Sequence, residues 1–102
     1  MDYNVENEGN VARLRLSGQL TFEDHPGFRD VLALAAEMRN GQLVLDLAGL
    51  DFIDSSGLGM FALLKEAADN NNITLSMRGA RGLVLRLLTL VKFDAIIPFS
   101  ND

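Results

Sequence analysis

Phe52-Ile53-Asp54-Ser55-Ser56-Gly57-Leu58-Gly59-Met60-Phe61 joins two segments of different periodicity. Before it, Leu43-Val44-Leu45-Asp46-Leu47 is apolar with little alternation, which suits a strand covered on both faces. After it, Met60, Phe61, Leu64 and Ala67 or Ala68 recur at helical spacing. The spacing predicts a loop over residues 48–54 and a helix over about residues 57–69. An acid, two hydroxyls and two glycines thus gather where a strand passes into a helix, a normal place for an N-cap and for an anion. Asp54 alone can cap that helix, so the hydroxyls of Ser55 and Ser56 are redundant as caps. Gly57 and Gly59 each cost a helix about 1 kcal/mol relative to Ala, and they leave room for another backbone or a bulky group. A phosphate here would meet free N–H groups and the positive end of the helix dipole. It would also meet the repulsion of Asp54. The stretch therefore reads as an accessible phosphoacceptor, not a closed phosphate cradle, and it sits beside a protein-binding face.

Working outward, residues 3–5 are expected to form a short first strand, and Glu8-Gly9-Asn10 is turn chemistry. Residues 11–17 alternate, with Ala12, Leu14 and Leu16 against Arg13, Arg15 and Ser17, which describes a half-solvated strand ended by Gly18. Residues 20–26 are a connector in which Asp24 is placed to cap the next helix and Pro26 lies in its first turn. Phe28, Val31, Leu32, Ala35 and Met38 mark the buried side of that helix, and Asn40-Gly41 stops it. Asp69-Asn70-Asn71-Asn72 breaks the second helix, and residues 73–77 form another strand. A third helix is expected over about residues 83–91, with Val84, Leu87, Leu88 and Val91 facing the core. Leu83, Leu85 and Leu90 are left over as core or as a partner surface. Leu58, Ala62 and Lys65 fall off the core face of the second helix, and Leu58 is read as partly buried against the third or else as an exposed anchor. A final strand at residues 94–99, with Pro98 at a sheet edge, completes the order β-β-α-β-α-β-α-β. This is one α/β domain with a mixed sheet and parallel crossovers.

Bulk properties narrow the function. The 102 residues suit one domain, and 48% hydrophobic against 23% charged content supports a packed core. A net charge of −5 and scattered basic residues argue against general affinity for nucleic acid or an anionic membrane. With no Cys and one His, a thiolate or zinc site is not expected, and no cofactor is. The polar, acidic N-terminal residues lack the blocks of a signal peptide, and residues 83–91 are too short to span a bilayer, so the expected location is the cytoplasm.

Enzymatic readings fare poorly. Ser56 lacks a Gly-x-Ser-x-Gly elbow, and His25, before Pro26, is the single imidazole and reads as a solvated loop residue. No P-loop is present. A receiver domain is the better rival, because residues 43–47 resemble its acceptor strand with Asp46 as acceptor. It lacks the acidic pair after the first strand and the Lys after the last.

With Asp54-Ser55-Ser56-Gly57-Leu58-Gly59 at its centre, the stretch from Leu47 to Phe61 resembles the signature of STAS domains. It is nearest to the single-domain bacterial anti-sigma factor antagonists, and the late Val84-x-Arg86-Leu87-Leu88 helix fits them as well. The resemblance implies a small mixed sheet with helices packed on one side. It implies a non-enzymatic regulator of transcription whose serine is phosphorylated by an anti-sigma factor serine kinase and dephosphorylated by a PP2C-type phosphatase. The unphosphorylated form would bind the anti-sigma factor and free the sigma factor. On the motif, Ser56 is the first choice of phosphoacceptor and Ser55 the second. Asp54, Gly57, Leu58 and Gly59 form the surrounding partner-binding surface. The expected state is a monomer or weak dimer. A passive STAS scaffold or a nucleotide-sensing STAS module remains as an alternative. Residues 21–27 depart from the Asp-x-x-Asn/Ser-type connector common in the family.

Overall fold

The structure, a computed structural model, describes residues 1–100 of the chain. Strand β1 (Asp2–Glu8) runs antiparallel to β2 (Val11–Leu20), with the chain reversing at Gly9, φ 61°. Helix α1 (His25–Glu37) leads to β3 (Gly41–Ile53), and α2 (Ser55–Asn70) leads to β4 (Ile73–Arg78). Helix α3 (Gly82–Leu90) follows. The four strands lie in the order β1-β2-β3-β4, with β3 parallel to both β2 and β4. The expected mixed α/β sheet is borne out.

Alternation decides which side is covered. Ala12, Leu14 and Leu16 of β2, Leu43, Leu45 and Leu47 of β3, and Leu75 and Met77 of β4 share one face. They form one buried cluster with Phe28, Val31 and Ala35 of α1, Met60, Phe61, Leu64 and Ala68 of α2, and Val84 and Leu88 of α3. All three helices therefore cover this face. Phe28, Phe61 and Phe93 run through the cluster, with ring centroids 6.2 and 6.4 Å apart. The other face carries Arg13, Arg15, Thr74, Ser76 and Arg78, with Val44 and Asp46 buried between them. The unbroken burial of residues 43–47 thus has two sources, helices on one side and polar side chains on the other.

Several elements differ from expectation. β2 does not end at Gly18 and residues 48–53 are not loop. Both strands continue, through register shifts between Arg15 and Ser17 and between Gly18 and Gln19. The extra β3 residues at these bulges destroy the period of two, so the strand extension looks like loop in sequence. Asp24 stands at the N-cap position of α1 but makes no capping bond. The expected last strand contracts to a single bridge between Met77 and Phe99. Lys92, at φ 58°, turns the chain back after α3, and residues 93–95 coil into a 3-10 turn that buries Phe93 and Ile97. Their spacing of four matches a turn and not a strand. Pro98 does lie at the edge, its carbonyl accepting the Met77 N–H at 2.8 Å. The polar break after α2 has a structural task. The Asn71 side-chain amide donates to the Ala35 and Ala36 carbonyls at 2.9 and 3.0 Å, closing the end of α1.

Candidate functional site

Ser55 and Ser56 are the first two residues of α2, as expected. Asp54 is the N-cap, and its Oδ1 accepts the Gly57 N–H at 2.9 Å. The first intrahelical bond runs from the Leu58 N–H to the Asp54 carbonyl at 3.1 Å. Asp54 therefore supplies the side-chain cap without either hydroxyl. Ser55 is exposed and Ser56 half-buried.

The helix start is pressed onto the end of β2. A Cβ on Gly57 would lie 2.5 Å from Ile53 Cγ1 and 2.8 Å from the Leu20 carbonyl oxygen. Gly57 is buried and provides the close approach anticipated for it, and the approaching group is the chain's own backbone. Gly59 is exposed, with open space where a Cβ would go. Leu58 is half-buried against the core. Leu83, Leu85 and Leu90 are exposed on α3, and Val91, expected on the core face, is exposed just past its end. α3 ends at Leu90, with Val91 as its C-cap, and Lys92 turns the chain in the left-handed region.

Sequence reading missed how the connector before α1 meets this site. The Asp54 N–H donates to the Leu20 carbonyl at 3.2 Å, and Asp54 Oδ2 accepts the Phe22 N–H, also at 3.2 Å. Phe22 itself is 70% exposed and meets His25 edge-on, with centroids 5.5 Å apart. No local pattern links positions 32 residues apart. The one sequence signal was that residues 21–27 depart from the family's usual connector.

Asp24 secures the same turn. Its carboxylate accepts the Thr21 N–H at 2.8 Å and faces the Met1 ammonium at 2.9 Å. The Thr21 backbone bond, followed by the ammonium, holds its carboxyl below the ordinary 3.8. A carboxyl depressed on folding adds stability above its unfolded value and loses it as pH falls through the folded value. Asp24→Asn should therefore melt lower than the parent at neutral pH, and the gap should close as pH falls below about 3.8. Thermal melts across that range check this, and a constant gap would contradict it.

Asp46, the acceptor in the receiver reading, is engaged elsewhere. Its side chain is 9% exposed, 2.7 Å from Arg78 Nη1 and 3.7 Å from Arg15 Nε. Its Oδ1 accepts the Ala48 N–H at 3.1 Å. Arg15 continues the chain of charges to Glu6 at 3.1 Å. Among the described residues, no three His, Cys, Asp or Glu side chains are grouped to hold a metal ion, and no helix is long and apolar enough to cross a membrane.

A four-stranded mixed sheet covered by helices on one face, with two serines on the first turn of its second helix, defines the class of domain. The family profile described as "Mlab, STAS domain" matches residues 3–98, and the chain belongs to the STAS domain family. A STAS-domain containing protein of Pseudomonas aeruginosa (strain UCBPP-PA14) is 28% identical over 93 residues, covering 91% of each chain. An anti-sigma factor antagonist from Mycobacterium paratuberculosis superposes with a TM-score of 0.82 at 24% identity, over 99% of this chain and 86% of that one. The unphosphorylated form of the anti-sigma factor antagonist SpoIIAA gives 0.71 at 17% identity, over 99% and 88%. These structural likenesses establish the shared fold.

Proposed function

We propose that this domain is an anti-sigma factor antagonist working by partner switching in the cytoplasm. In this reading the unphosphorylated form binds a kinase-type anti-sigma factor and releases the sigma factor. Phosphorylation at Ser56, or at Ser55, ends the binding, and a PP2C-type phosphatase restores it. The observation that carries the reading is that Asp54 caps α2 by itself, leaving two hydroxyls on the first helical turn without a capping duty. The exposed Ser55, Gly59 and Ala62 give that end of α2 an open surface for docking. Phosphate adds about −1.5 to −2 charges. A partner covering the helix start would have to desolvate that dianion beside Asp54, and each 1.4 kcal/mol of penalty weakens binding about tenfold.

The test is incubation with a kinase-type anti-sigma factor and ATP, followed by intact mass measurement and calorimetry. We expect one phosphate per chain, lost in Ser56→Ala or, failing that, in Ser55→Ala. Ser56→Ala should still bind the anti-sigma factor, and phosphoserine at the modified position should weaken binding at least about tenfold. Phosphate uptake that survives the double Ser55→Ala, Ser56→Ala change, or equal affinity of both forms, would overturn the reading.

A further inference from the structure

We infer that Asp54 is a positioning residue that couples the charge state of the serine site to the exposed Phe22 turn. The inference rests on the phosphoacceptor reading above for its trigger, and on the geometry for its mechanism. One carboxylate serves two elements: Oδ1 holds the Gly57 N–H of α2 and Oδ2 holds the Phe22 N–H of the connector. The two bonds are unequal. The helix bond is 2.9 Å long and part-buried, whereas the Phe22 bond is 3.2 Å long and exposed. A second charge on Ser55 or Ser56 repels the carboxylate and competes for first-turn N–H groups, and the longer, exposed bond yields first.

The turn that is freed has a surface of its own. The Phe22 ring stands beside a shallow hollow of about 490 Å³ lined by Phe22, Glu23, His25, Pro26 and Arg29. Glu23 and Asp24 follow the ring in the same 3-10 turn. A kinase-type anti-sigma factor that covers the serines would have this turn beside its footprint, because the Phe22 backbone N–H is bonded to the residue just before Ser55. Phosphorylation thus has two effects, a buried charge at the helix start and a displaced aromatic contact next to it.

Asp54→Asn separates the two bonds. Its one carbonyl oxygen still caps Gly57, but the amide group cannot accept from the Phe22 N–H. The test is amide hydrogen exchange by NMR on the full chain, comparing the parent, Asp54→Asn, and protein made with phosphoserine installed at position 56 or at 55. Installing the phosphate directly makes the result independent of any kinase. We expect Phe22 exchange to rise about tenfold in Asp54→Asn while Gly57 stays within about twofold. Phosphoserine in at least one position should speed Phe22 more than Gly57. The chain has no Trp, so Phe22→Trp supplies a single reporter whose anisotropy should drop under the same changes. Unchanged Phe22 exchange in both phosphoserine proteins would overturn the coupling. So would equal loss of protection at Phe22 and Gly57 in Asp54→Asn, which marks a merely structural cap. A kinase that never modifies the serines would sink the functional reading alone and leave this measurement standing.

Discussion

Gly57→Ala should be among the most damaging single-methyl additions in this protein, lowering stability by about 3 kcal/mol. The added Cβ would lie 2.5 Å from Ile53 Cγ1, 2.8 Å from the Leu20 oxygen and 3.1 Å from Leu20 Cγ. Side-chain tips can rotate aside, but the Leu20 oxygen is backbone, and the Leu20 carbonyl also receives the Asp54 N–H. The helix start must therefore lift off the end of β2. Overpacking of this kind costs about 1–3 kcal/mol and more against backbone, and the gain of about 1 kcal/mol from replacing a helical glycine offsets only part of it. For a domain of this size, each kcal/mol moves the melting temperature by about 4–8 °C, so a fall of roughly 12–24 °C is expected. Gly59→Ala is the control. Two residues further on, with open space at its Cβ, the same change should raise stability by about 1 kcal/mol. Thermal unfolding of the two variants side by side decides the matter, and matching melts would show that the close approach at Gly57 has no energetic weight. Because Ser55 and Ser56 ride on the displaced turn, Gly57→Ala should also slow phosphate uptake if the proposed function holds.

Arg78→Met should cost about 2–3 kcal/mol, at or below the lower end of the range for breaking a buried ion pair, because the pair is only part-buried and Arg78 is 27% exposed. It leaves the Asp46 carboxylate, 9% exposed, with the Ala48 N–H and a more distant Arg15 at 3.7 Å. The remaining arginine is what keeps the loss from the upper end. Removing both charges should do less harm than removing one. Asp46→Leu combined with Arg78→Met trades the pair for apolar surface on a strand whose neighbour Val44 is already buried. The double variant is therefore expected to recover at least half of the loss caused by Arg78→Met. Denaturant titration of the two single variants and the double variant measures the coupling. Strictly additive losses would show that the pair contributes no interaction of its own. Neither change touches the serine site, so the binding proposed for it should persist wherever the domain stays folded.

The site itself was partly legible. Asp54-Ser55-Ser56-Gly57 announced a helix start, because capping chemistry is local and acts over three or four residues. The face of α2 that faces the core followed from spacing, and Met60, Phe61, Leu64 and Ala68 are all buried there. What the motif could not show was why Gly57 is needed or what else Asp54 holds. Both depend on Leu20 and Phe22, which arrive from another strand end. Leu83, Leu85 and Leu90 posed a similar problem, since an apolar residue on a nine-residue helix reads alike whether it is buried or not. Only the docking of α3 through Val84 and Leu88 left those leucines outside.

By itself the sequence determined the order of the first seven strands and helices, the buried stripes of the first two helices and the serines' place at the start of the second. These are set by periodicity and capping, which neighbouring residues specify among themselves. Tertiary structure alone decided the bulged continuation of β2 and β3, the contraction of the last strand to one bridge, and the charge chain from Glu6 through Arg15 and Asp46 to Arg78. It also decided the double attachment of Asp54. Each of these depends on which backbone groups and side chains meet across the sheet, a matter of register between strands that no short window of sequence contains.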